Sequence, residues 1–378
     1  MLLSYWEKDI WFREVDYLIV GSGIVGLCTA IDLKTQEPKA KVLVVERGIL
    51  PTGASTKNAG FACYGSPSEL VDDLNHSGLD YILQTVEYRF KGFQKLLSLL
   101  GKEKMGYESL GGHEVFREEE RPLLEEVKKH LHNLNRELKS IFGSDPFIFN
   151  KENYNYWGFN GIVESISLPF EGQIHTGKTI YHLEKLAREL GVLCLNGLEV
   201  RSVEDVGLKA IINTNLGNIS ASKIAICTNG FARKLLKNED VEPARAQVLI
   251  TSEIKNLKFK GIFHMNAGYY YFRNVGNRVL IGGGRHLFRQ NEHTYRMQTT
   301  AQVQKHLEKI LKKYILTNQP FTVDDSWAGI MGFGSLNEKG SLVKQISRNI
   351  VCGVRLGGMG IAIGAEIGQK TSKLLLET

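Results

Sequence analysis

The stretch VDYLIVGSGIVGLCTAIDLK, residues 15–34, decides the fold. Its first six residues form a short run that is rich in apolar and β-branched side chains, which is typical of a buried parallel strand. Three glycines follow in G-x-G-x-x-G spacing, and the apolar residues after them recur at helical spacing: Ile24, Leu27, Ala30 and Ile31. The pattern predicts a strand, a tight turn and a helix.

The spacing of these glycines is typical of a dinucleotide-binding turn. Gly21 permits the turn, Gly23 lets a pyrophosphate approach the backbone, and Gly26 lets the helix pack closely on the strand. The N-terminus of the helix offers free N–H groups and a positive dipole end to phosphate oxygens. We therefore predict that the cofactor contacts Gly21, Ser22, Gly23, Ile24 and Gly26.

The next strand, KVLVVE at residues 41–46, ends in an acidic residue at the place where a dinucleotide site needs one. Glu46 is expected to accept hydrogen bonds from the ribose hydroxyls of the cofactor, and Arg47 follows it directly. Because a carboxylate repels a 2′-phosphate, the sequence favours FAD or NAD over NADP.

A stretch rich in glycine and small residues, LPTGASTKNAGFACYGSP at 50–67, stands where an NAD dehydrogenase usually has another strand–helix unit. Glycine permits a close approach of the backbone to a flat cofactor. A plain surface loop is the alternative, although Phe61, Ala62 and Tyr64 are unusual in a solvated loop. The predicted cofactor contacts in this stretch are Gly53, Ala54, Ser55, Lys57, Asn58, Ala59 and Gly60.

The last segment, residues 349–377, repeats the strand–glycine–helix pattern at the other end of the chain. A strand is predicted over residues 350–354, and the following turn contains three glycines. A cofactor held from both ends of the chain would explain this second turn. The predicted contacts are Gly357, Gly358, Met359 and Gly360.

Length and composition indicate a globular protein of two lobes, since 378 residues exceed one ordinary core. No apolar run reaches the roughly 20 residues of a membrane helix, and the N-terminus does not have the pattern of a signal peptide. The net charge of +6 permits an anionic substrate, but no run of Lys and Arg indicates nucleic acid.

The chain has 5 cysteines at long spacings, without a C-x-x-C pair. An odd number of widely spaced cysteines argues against a disulfide framework and against a zinc site. We therefore expect reduced thiols, a cytoplasmic protein and no metal.

Taken together, these motifs resemble the FAD-dependent amine oxidoreductases related to D-amino-acid oxidase, glycine oxidase and sarcosine oxidase. GSGIVG with Glu46 matches the family's FAD motif, and GASTKNAG matches its G-x-S-x-x-N-x-G loop, which lies along the pyrophosphate and the flavin ring. RLGGMGIAIG resembles the glycine loop that faces the flavin carbonyl. YYYFRNVGNRVLIGGG, residues 269–284, resembles the hairpin under the substrate.

The resemblance implies an α/β fold with two discontinuous domains. A Rossmann-like FAD-binding domain would comprise residues 1–80, 165–240 and 345–378. A substrate domain, an antiparallel sheet with flanking helices, would comprise residues 81–164 and 241–344.

The family reaction removes a hydride from the carbon beside an amine, so the resemblance implies a small amine or amino acid as substrate. Arg273, Arg285 and Arg355 are candidates to bind its carboxylate, although each could instead be a rim charge or the partner of a nearby acid. Tyr271 is a candidate wall of the substrate site or an ordinary core residue. Lys57 would place positive charge near the flavin, or lie exposed.

The chain departs from the family at the usual carboxylate anchors. Met331 stands where glycine oxidase has an arginine, Gly60 where sarcosine oxidase has one, and Leu342 where a proline is frequent. No cysteine lies near Met331 in the sequence and no histidine replaces Lys57 or Asn58, so we expect FAD to be bound non-covalently.

Three other functions stay open at this point. They are a flavin enzyme acting on an amine carried by nucleic acid, an NAD-dependent dehydrogenase, and a catalytically idle flavoprotein. The electron acceptor, oxygen or another molecule, is also open.

Overall fold

A computed structural model of the protein describes residues 3–150, 154–335 and 340–377. The helices are α1 Tyr5–Glu7, α2 Ile24–Gln36, α3 Ala54–Lys57, α4 Pro67–Ser77, α5 Leu79–Met105, α6 Arg121–Phe142, α7 Thr176–Glu189, α8 Arg289–Glu292, α9 Ala301–Ile310 and α10 Gly360–Glu377. Short 3₁₀ turns are Glu118–Glu120, Tyr154–Trp157, Asn229–Lys234 and Arg285–Leu287, and π-helical turns are Lys8–Phe12 and Leu311–Ile315.

The strands belong to two large sheets and one small two-stranded sheet. In chain order they are β1 Val15–Val20, β2 Val42–Glu46, β3 Phe61–Ala62, β4 Gly112–Arg117, β5 Ile148–Phe149, β6 Ile162–Leu168, β7 Gly172–Gln173, β8 Leu193–Asn196, β9 Val200–Asp205, β10 Ala210–Thr214, β11 Gly217–Ile226, β12 Glu242–Thr251, β13 Ile262–Met265, β14 Tyr270–Val275, β15 Arg278–Gly283, β16 Val323–Phe333, β17 Leu342–Ser347 and β18 Ile350–Val354.

The first sheet has the order β17-β18-β11-β1-β2-β8, and β9 and β10 extend it from β11. The pairs β18/β11, β11/β1, β1/β2 and β2/β8 are parallel. Every residue of β2 is buried, as expected for a strand covered on both faces. The carboxyl ends of these strands therefore meet at one edge of the sheet, which is where α/β proteins bind nucleotides.

Helices α2 and α10 pack closely because small residues stand at their contact. A Cβ on Gly368 would lie 2.6 Å from the Cβ of Cys28. The hydroxyl of Thr29 donates a hydrogen bond of 3.0 Å to the carbonyl of Gly368. The two ends of the chain thus lie side by side, and each contributes a glycine turn to the same edge of the sheet.

The second sheet has the order β16-β12-β15-β14-β13-β4-β6-β5. Its strands are antiparallel except for the pair β13/β4, in which Ile262 lies opposite Gly112 and His264 opposite Glu114. This parallel pair differs from the antiparallel sheet that we expected. β4 and β13 come from distant parts of the chain, so no hairpin sets their relative direction.

Together the two sheets and their helices confirm the predicted α/β class. The predicted domain boundary at 164/165 falls inside β6, which pairs with β4 in the second sheet. The division into two domains stays a prediction. Among the residues that the structure describes, no helix has the length and apolar character needed to span a membrane.

Candidate functional site

A cavity of about 1080 Å³ lies between the carboxyl edge of the first sheet and one face of the second. This volume is slightly above the ~300–1,000 Å³ typical of ligand pockets. Gly21, Glu46 and Leu356 line it from the first sheet, and Tyr271 and Arg285 line it from the second. One continuous cavity therefore joins the predicted nucleotide site to the predicted substrate site.

The glycine turn after β1 brings backbone N–H groups to this cavity. Gly21 has a φ of +107°, which side-chain-bearing residues rarely adopt, and α2 then begins at Ile24 with Gly23 as its N-cap. Gly23 supplies no capping side chain, and the N–H of Ile24 donates 3.0 Å to the hydroxyl of Ser55. The second long helix, α10, also begins at the cavity, at Gly360. Two helix N-termini provide the donors and dipoles that a pyrophosphate requires.

Glu46 is placed where an acid can bind a ribose. It lines the cavity at the end of β2. Its Oε2 accepts hydrogen bonds from the backbone N–H of Ser22, 3.3 Å, and from its hydroxyl, 3.2 Å. Its Oε1 accepts from the N–H of Gly48 at 3.0 Å. Ser22 thus holds the carboxylate of Glu46 and is itself absent from the described cavity lining. The guanidinium of Arg47 lies on the ring of Phe231 at 3.9 Å.

The stretch at 53–60 is an ordered turn that rests on β16. Asn58 closes this turn, because its Nδ2 donates to the carbonyls of Ala54 and Ser55 and its Oδ1 accepts from the N–H of Gly60. Trp327, on β16, holds the turn in place, because its Nε1 donates a hydrogen bond of 3.0 Å to the carbonyl of Lys57. The cavity lining includes, from the predicted set, Gly53, Ala54, Ser55, Lys57, Asn58 and Ala59.

Besides Ser22, two more predicted cofactor contacts, Gly26 and Gly60, are absent from the described cavity lining. A Cβ on Gly26 would overlap the carbonyl oxygen of Gly21, so Gly26 serves the packing of α2 on the turn. A Cβ on Gly60 would overlap the carbonyl of Ile174 and would lie 3.2 Å from Nη2 of Arg273.

The C-terminal turn forms the remaining side of the cofactor end. Gly357, Gly358, Met359 and Gly360 all line the cavity. Arg355, just before them, has a φ of +64°, an uncommon conformation for a residue with a side chain. The side-chain oxygen of Asn229 accepts a 3.2 Å hydrogen bond from the N–H of Leu356, which fixes the C-terminal turn against the 3₁₀ turn Asn229–Lys234.

The structure separates the three arginine candidates. Arg355 lines the cavity, but its Nη1 forms a 3.0 Å ion pair with Asp240 and its Nε donates to the carbonyl of Gly340. Arg273 is absent from the described lining. It is buried below Gly60, burial lowers its pKa to about 10, and its Nε has no hydrogen-bond partner in the described part of the chain.

Arg285 is the candidate that faces the cavity with its charge available. Its guanidinium lies 4.7 Å from the ring centre of Phe333. Burial, and after it the neighbouring charge of Arg289, lowers its pKa. Among the described residues no carboxylate lies within ion-pair distance of Arg285. A carboxylate of a substrate would supply the missing counter-charge.

Tyr271 forms part of the wall beside Arg285. Its phenol lies over Gly282, where a Cβ would overlap the ring, and burial raises its pKa to about 12. Phe61 meets the Tyr271 ring edge-on at 5.6 Å. Tyr269 also lines the cavity, whereas Tyr270 points into the core on the other face of the sheet. This alternation follows the period of a regular strand.

Sequence reasoning missed a group of titratable side chains at the same wall. His264 lines the cavity, and its Nε2 lies 2.9 Å from Oε2 of the buried Glu171. A sulfur of Cys63, an oxygen of Glu171 and a nitrogen of His264 lie within 4.8 Å of one another. The only signal in the sequence was a histidine within a short apolar strand, in GIFHM at 261–265.

The donors and spaces of this cavity fit a dinucleotide. Two helix N-termini meet an acid at the ribose position, and Cβ atoms added to Gly53 and Gly358 would meet nothing within 4 Å, so the backbone there borders open space. The far end is lined by aromatic residues and by Arg285, which has no ion-pair partner among the residues that the structure describes. The fold and the cavity thus have the form of a dinucleotide-binding protein with a second pocket beside the predicted cofactor site.

The chain belongs to the family of FAD dependent oxidoreductases, which it matches over residues 16–374. This membership confirms the resemblance inferred from the motifs. It also makes FAD, rather than NAD, the cofactor that the family implies.

Solved structures with the same fold include two oxidases. Glycine oxidase from Bacillus cereus is 19% identical, with a TM-score of 0.73 and coverage of 96% of this chain and 95% of the other. Iminodiacetate oxidase from Chelativorans is 18% identical, with a TM-score of 0.74 and coverage of 96% and 95%. At these identities the likeness concerns the fold.

A curated relative is a dehydrogenase. L-2-hydroxyglutarate dehydrogenase of Indibacter alkaliphilus is 25% identical over 259 residues, which are 66% of this chain and 57% of that protein. The match thus spans little more than half the length of the relative.

Proposed function

We propose that the protein oxidises the C–N bond of an amino acid or secondary amine, with bound FAD as the hydride acceptor. The observation that carries this proposal is Arg285, a cavity-facing cation without an ion-pair partner in the described residues, beside an aromatic wall. A small carboxylate-bearing substrate matches that combination of charge and apolar surface.

We propose a position for the cofactor within the cavity. The N-termini of α2 and α10 would hold the pyrophosphate, Glu46 the ribose, and the turn at 53–60 with residues 357–360 the flavin. When bound, FAD supplies a two-electron acceptor at its N5 atom. Lys57, on the same turn, would add positive charge near the flavin.

We propose that FAD is held without a covalent bond. Two cysteines line the cavity, Cys63 and Cys227. Burial raises the pKa of the Cys227 thiol to about 12 and that of Cys63 well above its usual value, so both stay as unreactive thiols at neutral pH. Finding the flavin with the acid-precipitated protein would contradict this.

All five cysteines are free, which supports a reducing, cytoplasmic location.

The protein's own residues would bind and enclose the substrate. Arg285 would hold the carboxylate, while Tyr271 and Phe61 would exclude water from the reacting carbon. Arg355 would set the shape of the turn below the flavin, because its charge is already paired with Asp240.

A second candidate is the oxidation of a 2-hydroxy acid. The similarity to L-2-hydroxyglutarate dehydrogenase favours it. Both candidates share the carboxylate and the hydride transfer and differ only in the heteroatom on the reacting carbon.

The test uses purified protein reconstituted with FAD, mixed anaerobically with amino acids, secondary amines and 2-hydroxy acids. Bleaching of the flavin absorbance by amines supports the first candidate, and bleaching only by 2-hydroxy acids supports the second. Arg285→Met should raise the half-saturating concentration of a carboxylate substrate by about 10–100-fold, as expected for a lost ion pair in a desolvated site. Arg278→Met, at an exposed pair with Asp324, is the matched control.

A flavin that no member of the panel reduces would overturn the proposal and favour an idle flavoprotein. Steeply salt-dependent RNA binding would instead favour the amine carried by nucleic acid. Reoxidation of the reduced flavin by air, compared with a quinone or dye, would identify oxygen or another molecule as the acceptor.

A further inference from the structure

The imidazole of His264 joins a buried carboxylate to the substrate end of the cavity. Its Nε2 lies 2.9 Å from Oε2 of Glu171, which is only 2% exposed. Within the described residues no hydrogen bond reaches its other ring nitrogen, Nδ1, and the ring lines the cavity. A histidine held by a carboxylate on one nitrogen and open at the other has the form of a proton acceptor.

Glu171 is fixed in this position by its surroundings. Its Oε1 accepts a 3.0 Å hydrogen bond from the N–H of Tyr64. Gly112 makes room for it, since a Cβ there would lie 2.5 Å from Oε2 of Glu171. The chain therefore holds the carboxylate by backbone contacts and lets His264 complete its hydrogen bonds.

The imidazole also lies among the residues that we expect to surround the reacting carbon. Phe61 meets the ring of His264 edge-on at 5.6 Å and meets the ring of Tyr271 at the same distance. The proposed carboxylate anchor, Arg285, lines the same cavity. His264 thus shares one wall with the groups that would position the substrate.

The charges around His264 stabilise its protonated form. Burial opposes the charged imidazole, but Glu171, Glu114 and Glu69 together raise its pKa above the usual value. Glu114 lies directly opposite on β4. Two further titratable neighbours are His113, whose pKa burial lowers to about 4, and Cys63, whose thiol pKa burial raises well above its usual value.

The other histidine of the cavity, His286, is in the opposite situation. It stacks on Tyr269 at 4.3 Å, and its buried Nδ1 has no partner in the described residues. Burial, followed by His306, Arg289 and Arg285, lowers its pKa. The neighbouring positive charges thus disfavour a protonated His286, whereas the neighbouring carboxylates favour a protonated His264.

We propose that His264 is the catalytic base that takes the proton from the heteroatom of the substrate, and that Glu171 is its positioning residue. This inference rests on the proposed function. The N–H or O–H bond of the substrate would break and its proton would pass to Nδ1 of His264. The hydride of the adjacent C–H bond would leave to the two-electron acceptor that FAD supplies when it is bound. The product is an imine or a ketone, and the proton later leaves His264 to solvent, so that two electrons and two hydrogens leave the substrate.

The experiment compares His264→Gln with the matched control His113→Gln in the FAD-reconstituted enzyme. His113 neighbours Phe263 on the other face of the same sheet, away from the cavity. The rate of anaerobic flavin reduction should fall about 10²–10⁴-fold in His264→Gln, as expected for the loss of a general base. It should stay within a few-fold of the wild type in the control. The FAD spectrum and the melting temperature show whether His264→Gln is folded.

The pH dependence separates a base from a structural residue. In the wild type the reduction rate should rise with pH as His264 loses its proton, with a midpoint above 6.5. Glu171→Gln removes the main charge that raises this pKa, so the midpoint should move down by roughly 1–3 pH units. The NMR titration of the His264 ring in the two proteins should show the same shift without turnover.

Several outcomes would overturn the assignment while leaving the proposed function intact. The first is an unchanged rate and pH profile in His264→Gln. The second is a midpoint of the pH profile that moves in His286→Gln and not in Glu171→Gln. The third is activity that is lost on treatment with EDTA and restored by a metal ion. If none of the amines and none of the 2-hydroxy acids reduces the flavin of the wild-type protein, the proposed function itself fails.

Discussion

The Cα of Gly26 lies directly against the carbonyl oxygen of Gly21, so that a Cβ on Gly26 would overlap that oxygen. This contact joins the first turn of α2 to the end of β1 and leaves the N-terminus of the helix facing the cavity. The position of the predicted phosphate-binding turn therefore depends on Gly26, which is absent from the described cavity lining.

The contact predicts unequal effects for two glycine substitutions near the cofactor. Gly26→Ala should cost about 1–3 kcal/mol or more in the free energy of unfolding, because the backbone must move. It should also weaken FAD binding. Gly53→Ala should change the stability little, since nothing lies within 4 Å of its Cβ position. Urea unfolding of the apoproteins measures both, and equal losses would contradict the packing role of Gly26.

Glu46 should determine the affinity for FAD with little effect on folding. Glu46→Gln keeps an acceptor for Ser22 but loses the charged acceptor for the ribose, so the Kd for FAD should rise about 10–100-fold. Quenching of flavin fluorescence on titration measures this Kd. Glu37→Gln, at the other end of α2 where Glu37 accepts from Tyr17, should leave it unchanged. An unchanged Kd in Glu46→Gln would remove Glu46 from the ribose site.

The pair Arg245–Glu292 should contribute much more to stability than a surface ion pair. Arg245 and Glu292 are 5% and 1% exposed and meet at 2.7 Å. Glu292→Gln would leave a buried guanidinium uncompensated, at a cost of about 3–5 kcal/mol. Glu87→Gln, which breaks the exposed pair with Lys91, should cost less than about 1 kcal/mol. Denaturant midpoints compare the two, and a similar small loss in both would refute the prediction.

Stability should fall as pH rises through the titration of Glu114. Burial raises the pKa of Glu114 from 4.5 to about 7, although Ser66 and Ser68 donate to its carboxylate. The folded state therefore binds a proton that the unfolded state has lost between these values. The free energy of unfolding should decrease by roughly 3 kcal/mol from pH 4.5 to above pH 7 on this account alone.

Glu114→Gln should flatten that slope. Two histidines affect what remains: the raised pKa of His264 acts in the same direction as Glu114, and the lowered pKa of His113 acts in the opposite direction. Urea unfolding at pH 5 and pH 8 measures the difference. Glu125→Gln, at an exposed pair with Lys128, should keep the slope of the wild type. A slope in Glu114→Gln equal to that of the wild type would show that this carboxyl does not hold its proton more strongly in the folded protein than in the unfolded chain.

Much of the cofactor end was predictable because its signals are local. The period of β1, the glycine spacing and the acid at the end of β2 each depend on a few consecutive residues. The direction of Tyr271 into the cavity and of Tyr270 into the core also follows from the alternation of one strand. The family resemblance extended these signals to the C-terminal turn.

The substrate end was not predictable in the same way. In the sequence Arg273, Arg285 and Arg355 are equivalent candidates. The tertiary structure distinguishes them, because Arg273 is buried below Gly60, Arg355 is paired with Asp240, and Arg285 lines the cavity. His264 and Glu171 are 93 residues apart, and neither stands in a recognisable motif. Their contact depends on β13 lying beside β4 in parallel.

The sequence by itself determined the class of fold, the glycine turn after β1 and the acid at the end of β2, since these are properties of short segments with fixed periods. Only the tertiary structure decided which arginine keeps a free charge in the cavity and which histidine meets a buried carboxylate. The physical reason is that charge and protonation depend on neighbours in space, and the order of the strands, rather than the order of the residues, brings those neighbours together.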